Sequence, residues 1–293
     1  MNKIGFKEIV RDASLRGYAV PMFDVSNPTM IRAAAETADE MRSPVILAAL
    51  LPDIEGRLLG YWIDAAKRAV ANARAPISIF LDHSPDAANC RRCVDAGFDG
   101  VMLDASSKPF DENVALTREV VEYAKSRGVG VEAELGHVAK GIVGESDQLK
   151  DGGEEHDIET VFTDPQSAAD FVMKTGVDAL AVSIGTTHGV YVAAPKLDIP
   201  LCRRIHETVP VPLVMHGGSG TPDDQVKEAV SAGIAKVNIY SELTSAWNTA
   251  MRDYLVERGQ MTCWMSVVIK KPYAALKAKM REKMEMLGSV GRV

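Results

Sequence analysis

The feature that most constrains the fold is a regular alternation of short apolar segments with amphipathic segments of helical period. Eight apolar segments have the length of buried strands, at residues 18–23, 45–49, 77–82, 100–104, 130–134, 179–182, 213–216 and 235–239. In the helical segment 27–43, Ile31, Ala34 and Ala38 share one face. Strands that alternate with helices pair in parallel, and eight such units close a barrel. The sequence therefore predicts an α/β fold, a (β/α)8 TIM barrel.

A single domain is expected, because the 293 residues contain no Pro/Gly/Ser-rich linker and barrels of this length are ordinary. Residues 251–293 are predicted to be C-terminal helices that wrap the barrel or contact a partner subunit. Residues 136–163 form a long, polar, glycine-rich connection. Such connections are usually functional or disordered, so we predict a mobile active-site loop over the fifth strand.

Composition and charge narrow the choice of partners. The net charge is −7, and no block of Lys and Arg resembles a nucleic-acid footprint, so neither nucleic acid nor an anionic membrane is an expected partner. The N-terminal segment has no apolar core of a signal peptide, and no apolar run approaches the ~18 residues of a membrane span. A cytoplasmic protein is expected.

The pair Cys90 and Cys93 forms a CxxC motif. A zinc ribbon needs a second such pair, which the sequence lacks, and a redox motif normally opens a helix that follows a strand. This pair instead falls inside a predicted helix. The motif is interpreted as two cysteines one helical turn apart.

Polar side chains occupy nearly every position where a predicted strand ends, and active-site groups of TIM barrels come from these carboxyl ends. Three of them are histidines, His83, His188 and His216. A single histidine is more often a hydrogen-bonded structural residue, but three imidazoles at one barrel mouth suit a catalytic Zn²⁺ with an open position. The remaining histidines, 137, 156 and 206, are expected at the surface.

Carboxylates complete this set. Asp82 adjoins a candidate ligand and can act as a general acid and base, or it can orient that ligand. Asp104 and Glu134 are alternative metal ligands or hydrogen-bond partners of ligands. Glu132 alternates with Glu134, so both are expected to point into the barrel, where one of them can pair with a lysine.

The segment "HGGSGTPDDQV" (216–226) combines a strand end, a glycine-rich turn and a helix start, with Thr221 as the predicted N-cap. Gly217 and Gly218 allow backbone amides to approach an anion closely. Phosphate sites of TIM barrels often use the loops after strands seven and eight, and Asn238 and Ser241 lie in the second of these loops. The two loops together indicate a phosphate site.

These stretches together resemble the class II fructose-bisphosphate aldolase family, and most of all its tagatose-bisphosphate aldolase branch. The motifs that carry the resemblance are "FLDHS" (80–84), "VMLDAS" (101–106), "VEAELG" (131–136), "GVDALAVSIGTTHGVY" (176–191), "PKLD" (195–198), "MHGGSG" (215–220) and "KVNIYSEL" (236–243). The similarity extends from about residue 5 to the C-terminus.

The resemblance implies a zinc-dependent aldolase that acts on a ketose 1-phosphate. Zn²⁺ would be held by His83, His188 and His216, a second or displaced metal by Asp104 and Glu134, and Asp82 would transfer the proton of the C4 hydroxyl. The phosphate of dihydroxyacetone phosphate would lie against Gly189, Gly217, Gly218, Ser219, Asn238 and Ser241. The resemblance also implies a Na⁺ or K⁺ ion near the phosphate and a homodimer or homotetramer.

Departures from the family pattern cluster where the distal end of the substrate is held. Tyr240 and Thr244 replace Asp and Arg, Leu50 replaces a serine, and Val192 replaces a lysine. In the stretch that reads FNVNN in the family, Asp24 and Ser26 replace asparagines, while Asn27 is retained as a candidate substrate-binding residue. We therefore predict that the second phosphate of a sugar bisphosphate is not recognised.

Two alternatives remain open on the sequence. A zinc hydrolase on the same barrel would need the histidines and an acid–base residue, but not the two phosphate loops. A non-catalytic assisting subunit, of the kind found in the tagatose-bisphosphate branch, would be marked by lost metal ligands. His83, His188 and His216 are all present, which favours the enzyme.

Overall fold

The computed structural model describes residues 4–136, 139–140, 161–188 and 195–293, with the backbone alone at 139–140 and 187–188. Ten strands lie within these residues: β1 Val20–Asp24, β2 Val45–Ala49, β3 Ile77–Ser84, β4 Gly100–Leu103, β5 Gly130–Leu135, β6 Ala139–Lys140, β7 Ala179–Val182, β8 Thr187–His188, β9 Leu213–Met215 and β10 Ile234–Ile239. Eight of them form a closed parallel barrel in the order β1-β10-β9-β7-β5-β4-β3-β2. The predicted TIM barrel is thus confirmed, and β6 pairs with β8 in a separate small sheet.

Helices cover the outside of the barrel. Within the described residues they are α1 Phe6–Arg16, α2 Pro28–Met41, α3 Leu58–Asn72, α4 Ala87–Ala96, α5 Phe110–Lys125, α6 Pro165–Thr175, α7 Ile199–Thr208, α8 Asp223–Ser231, α9 Ser241–Arg258, α10 Met265–Val268 and α11 Lys270–Met286, with a 3₁₀ turn at Leu51–Ile54. The predicted C-terminal helices are present. They begin earlier than expected, because α9 follows β10 after a single residue.

Local sequence explains several helix ends, and α4 is an example. The Asp86 carboxylate caps α4 by accepting the amide of Asn89, and Gly97 ends the helix with a φ of 96°, a conformation that favours glycine. The predicted cap of α8 is wrong. Pro222 occupies the N-cap position, and the Thr221 hydroxyl donates instead to the carbonyl of Gly217, where it braces the turn.

The barrel interior has an apolar floor and a polar mouth. Phe6 of α1 closes the bottom, with its ring 4.6 Å from that of Phe80. Gly100 and Gly130 make room for it, since a Cβ at either position would lie 2.7 Å from Phe6 atoms. Because the bottom is closed by packed side chains, the open end is the one where the parallel strands finish.

Several strands differ from the prediction by one or two residues, at the starts of β1 and β10 and at the carboxyl ends of β1, β3, β4, β5 and β9. β3 continues to Ser84, so Asp82 and His83 lie within the strand, whereas β9 ends one residue before His216. The register between β3 and β4 shifts between Leu81 and Ser84. This irregularity re-aims the side chains at the end of β3.

The C-terminal helices are part of the core. α11 packs against α9 and α2 and buries Leu276, Met280 and Met284. The predicted loop over the fifth strand, 136–163, lies mostly outside the described residues. Among the residues described, no helix is both long enough and apolar enough to cross a membrane.

Candidate active site

Five predicted site residues converge at the barrel mouth. The donor atoms of Asp82, His83 and His216 all lie within 4.8 Å of one another, and so do those of His83, Asp104 and Glu134. Since His83 belongs to both groups, the two form one continuous cluster. The carboxyl ends of β3, β4, β5 and β9 supply it, as expected for a TIM barrel.

His83 stands at the centre of the cluster in an uncommon backbone conformation. Its φ is 42°, in the left-handed region that residues other than glycine rarely adopt and that is often associated with functional sites. Its Nδ1 lies 2.9 Å from Asp104 Oδ2, and its Nε2 lies 3.9 Å from Asp82 Oδ2. The imidazole is therefore flanked by two carboxylates.

His216 is buried between the two glutamates of β5. Its Nε2 lies 2.9 Å from Glu132 Oε1, and its Nδ1 lies 3.3 Å from Glu134 Oε2. Its ring meets that of His83 edge to face, with the centroids 4.5 Å apart. The predicted inward direction of both glutamates is correct.

The cluster favours positive charge. Burial acts to lower the pKa of His83, but Asp82, Asp104 and Glu134 outweigh it and hold that pKa well above the usual value. For His216, burial and the charge of His83 act downward, yet Glu132 and Glu134 raise the pKa overall. Burial disfavours ionised Asp104, but the hydrogen bond and charge of His83 and the bonds from Ser106 lower its pKa. A cation is the natural occupant of such a site.

The side chains present fit a divalent metal. Imidazole nitrogens together with carboxylate oxygens form the donor set that Zn²⁺ prefers in catalytic sites. The predicted third histidine ligand, His188, is described only by its backbone, which pairs with Lys140 in the β6–β8 sheet. Its side chain lies outside the described residues, and its role stays a prediction.

A chain of buried polar groups links Asp82 to His216, and its central residue, Lys236, was missed in the sequence analysis. Asn238 Nδ2 donates to both Asp82 oxygens, at 3.1 and 3.2 Å, and Lys236 Nζ donates to Asn238 Oδ1 at 2.8 Å. Lys236 also pairs with Glu132, as expected for one of the two glutamates. The signal for Lys236 was present: it alternates with Asn238 in an apolar strand, so both point inward.

The loops after β9 and β10 pack against each other where the phosphate was predicted. The Gly218 amide donates to the Asn238 carbonyl at 3.2 Å, and the Tyr240 amide donates to Ser219 Oγ at 3.1 Å. A Cβ at Gly218 would lie 2.4 Å from a methyl group of Val237, so the contact requires glycine. The turn at Gly217, with a φ of 67°, completes the cradle.

The remaining predicted binding residues have different surroundings. Asn27 caps α2 by accepting the amides of Thr29 and Met30. Ser241 is the first residue of α9 and is half-buried, whereas Gly189 lies outside the described residues. Capping of α2 is therefore a structural reason to retain Asn27. The contact of Asn27 with substrate stays a prediction.

A closed (β/α)8 barrel with histidines and carboxylates converging at its mouth defines the class of metal-dependent TIM-barrel enzymes. A family model described as class-II fructose-bisphosphate aldolase matches residues 4–292. The chain belongs to this family and is a metal-dependent aldolase, a carbon–carbon lyase. The resemblance inferred from the sequence motifs is confirmed.

Three solved structures are similar to this chain over nearly its full length. The YdjI aldolase from Escherichia coli K12 is 31% identical, with a TM-score of 0.86 and 99% of each chain covered. A candidate fructose-1,6-bisphosphate aldolase from Coccidioides immitis is 29% identical, with a TM-score of 0.86 and coverage of 97% of this chain and 96% of that one. Fructose-bisphosphate aldolase from Campylobacter jejuni, at 21% identity, a TM-score of 0.79 and coverage of 99% and 97%, supports the fold.

Proposed function

We propose that the protein cleaves a ketose 1-phosphate reversibly to dihydroxyacetone phosphate and an aldehyde, with Zn²⁺ held by His83, His216 and His188. The observation that carries the proposal is the single cluster of imidazole and carboxylate donors that includes Asp82 at the barrel mouth. Bound Zn²⁺ would polarise the ketone carbonyl and stabilise the negative charge that carbon–carbon cleavage leaves behind. Asp104 and Glu134 would provide further ligands for a second or displaced metal.

Asp82 carries the proton transfer in this proposal. Its carboxylate is buried and accepts two hydrogen bonds from the amide of Asn238, which hold it in one orientation. From there it removes the proton of the substrate C4 hydroxyl as the bond breaks, and returns it in condensation. Asp82 Oδ2 lies 3.9 Å from His83 Nε2, so this base stands beside the residues that would hold the metal.

The two packed loops supply the phosphate site. Backbone amides of Gly217 and Ser219, together with the N-terminus of α9 at Ser241, suit an anion, while the Gly218 amide holds the two loops together by donating to the Asn238 carbonyl. Anchoring the phosphate there presents the substrate to the metal cluster in one orientation. Gly189, Asn238, Asn27 and a Na⁺ or K⁺ ion beside the phosphate complete the proposed binding site.

The distal pocket does not suit a second phosphate. Asp24 ends β1 at the barrel mouth, buried, and Leu50 follows the end of β2. A buried carboxylate repels a phosphate group, and leucine offers it no hydrogen bond. The acceptor aldehyde is therefore unphosphorylated or carries another polar end. We also propose, from the family resemblance, a homodimer or homotetramer in the cytoplasm.

Deuterium exchange at C3 of dihydroxyacetone phosphate, followed by proton NMR in D₂O, tests the proposal without knowledge of the aldehyde. Wild-type protein is expected to exchange, a chelator to abolish the exchange, and Zn²⁺ to restore it. Asp82→Ala should keep the exchange but lose cleavage of ketose 1-phosphates, because Asp82 acts on the C4 hydroxyl. Asp178→Asn, which changes a carboxylate at the opposite end of the barrel, is the control.

Two outcomes would overturn the proposal. Exchange that survives complete metal removal would exclude a metal-dependent enolisation. The absence of exchange in zinc-loaded protein would mean that the donor is not dihydroxyacetone phosphate, and would favour the zinc hydrolase. A non-catalytic assisting subunit is disfavoured because it would not need the donor cluster at the mouth.

A further inference from the structure

We propose that Lys236 is a positioning residue that orients two groups of the active site at once, His216 through Glu132 and Asp82 through Asn238. This inference rests on the proposed function, which assigns His216 to the metal and Asp82 to proton transfer. It is carried by the contacts of one buried ammonium group at the centre of the barrel.

Lys236 is completely buried, and the neighbours of its ammonium group explain how the protein accommodates this charge. Nζ lies 3.0 and 2.9 Å from the two oxygens of Glu132 and 2.8 Å from Asn238 Oδ1, and it sits 4.6 Å from the centre of the Phe80 ring. An ammonium group has three donors and no acceptor. A buried charge is tolerated only when it is paired and hydrogen-bonded in this way. Lys236 is therefore a fixed cation rather than a free amine nucleophile.

The first arm runs from Lys236 through Glu132 to His216. The ammonium group of Lys236 favours an ionised Glu132, and an ionised carboxylate can only accept hydrogen bonds. Glu132 Oε1 lies 2.9 Å from His216 Nε2, so Nε2 must carry a hydrogen. In the neutral ring the lone pair then falls on Nδ1, the nitrogen that faces Glu134 within the donor cluster. A carboxylate that fixes the tautomer of a ligand histidine in this manner is common in metal sites.

The second arm runs from Lys236 through Asn238 to Asp82. A side-chain amide has one accepting oxygen and one donating nitrogen. Because Lys236 only donates, Asn238 must turn its oxygen toward Lys236, and its NH₂ group then faces Asp82. Asn238 Nδ2 reaches both Asp82 oxygens, at 3.1 and 3.2 Å. Without Lys236, the amide could rotate and present its oxygen to the carboxylate, which would displace Asp82.

Glu132→Gln tests the first arm with little change of shape. The amide oxygen of the new side chain can still accept from Lys236, so its NH₂ group would face His216 Nε2. This would favour the tautomer with the hydrogen on Nδ1 and withdraw the lone pair from the donor cluster. We expect zinc affinity to fall by about 10- to 100-fold, the range typical for loss of a partner of a ligand histidine.

The tautomer can be read directly by long-range ¹H–¹⁵N NMR on metal-free protein labelled at its six histidines, at a pH where the His216 ring is neutral, because bound zinc would itself hold the hydrogen on Nε2. The His216 signals are assigned from their loss in a His216→Gln spectrum. Wild-type protein should show a hydrogen on Nε2, and Glu132→Gln should move it to Nδ1. Lys277→Met removes another buried lysine, one that pairs with Glu36 and Glu40, and should leave the pattern unchanged.

The second arm is tested with the double variant Lys236→Met/Glu132→Gln, which removes both charges and avoids an unpaired buried carboxylate. In this variant the rate of ketose 1-phosphate cleavage should fall more than the rate of deuterium exchange at C3 of dihydroxyacetone phosphate, since only cleavage needs Asp82. A single Glu132→Gln variant, with Asn238 still oriented, should show the smaller difference between the two rates.

A hydrogen on Nδ1 in the wild type, or an unchanged tautomer and zinc affinity in Glu132→Gln, would overturn the first arm. Equal losses of cleavage and exchange in the double variant would overturn the second. Failure of the proposed function is a separate result, because wild-type protein would then lack C3 exchange whatever tautomer His216 adopts.

Discussion

Burial controls the reactivity of individual side chains, and the cysteines are the simplest case. Cys90 and Cys93 lie on the inner face of α4, and burial raises the pKa of each thiol to about 12. Cys202 is buried in α7, and its pKa is raised to about 12 for the same reason. The two cysteines of the CxxC motif are therefore packed side chains on one helix, as interpreted from the sequence.

We expect an alkylating reagent at pH 8 to modify Cys263 alone, because it is the partly exposed cysteine of the four. A thiolate is the reactive form, and buried thiols with raised pKa values hardly form it. Intact-mass measurement should show one adduct per folded chain and four after denaturation. Cys263→Ser should remove the single adduct, and labelling of Cys90 in folded protein would contradict this reading.

Metal binding should be linked to proton release. The carboxylates around His83 and His216 raise the pKa values of both histidines above the ordinary 6.5 in metal-free protein. Zinc binds only the neutral imidazole, so its apparent affinity should increase as the pH rises above 6.5. The raised pKa values also make the free energy of unfolding of metal-free protein depend on pH. The contribution of these two histidines is fully present below pH 6.5, the pKa of the unfolded chain, and is lost as the pH rises through the pKa values of the folded protein.

Calorimetric titration of metal-free protein with Zn²⁺ in buffers of different ionisation enthalpy measures the released protons. His206→Gln changes a histidine on α7, outside the donor cluster, and should leave the count unchanged. A zinc affinity that does not vary between pH 6 and pH 8, roughly the range in which histidines titrate, would contradict the linkage.

At the scale of elements, the glycine turn after β9 depends on a close backbone approach to β10. In Gly218→Ala, the Cβ would lie 2.4 Å from Val237 Cγ1 and 2.7 Å from the Asn238 carbonyl oxygen, so the loops must separate. We expect KM for the phosphorylated substrate to rise by about tenfold or more, because the displaced amides would no longer reach a phosphate at the proposed site.

Gly60→Ala is the matched control, since a Cβ there would meet nothing within 4 Å on the outer helix α3. It should leave KM unchanged and, by its better helix propensity, stabilise the fold by up to about 1 kcal/mol. Equal KM values for the Gly218→Ala protein and the wild type, in steady-state assays, would show that this contact does not position the phosphate.

At the scale of the whole molecule, the C-terminal helix α11 packs in the core and also contacts a residue that holds the loop after β9. Lys283 of α11 is buried and lies 2.6 Å from a carboxylate oxygen of Glu242, whose other oxygen accepts a hydrogen bond from the amide of Gly220 in the glycine turn after β9. The last helix of the chain thus supports the loop that follows β9.

Met280→Ala is expected to lower the free energy of unfolding by about 2–5 kcal/mol. The side chain is completely buried on the face of α11 that packs against the core, and its removal leaves a cavity. Met173→Ala, at a methionine 77% exposed, should change it by less than about 0.5 kcal/mol. Urea denaturation of both variants tests this, and similar midpoints would mean that α11 is not part of the cooperative fold.

Local sequence patterns were enough to recover much of this structure. The order of the strands, the helices between them and the polar strand ends follow from hydrophobic period and length, and β2 and β7 have the predicted bounds. His83, His216, Asp82, Asp104 and Glu134 were found because they stand at or near the carboxyl ends of predicted strands, a position that can be located in the sequence itself.

Only the tertiary structure decided which of these groups meet across the barrel. Lys236 and Glu132 are 104 residues apart, and Asn238 and Asp82 are 156 apart. Strand period indicates that each side chain points inward, but the closed strand order and its register set the height and angle at which they face one another. The direction of the Asn238 amide and the nitrogen of His216 that faces the cluster follow from those pairings, because each group is oriented by its partner.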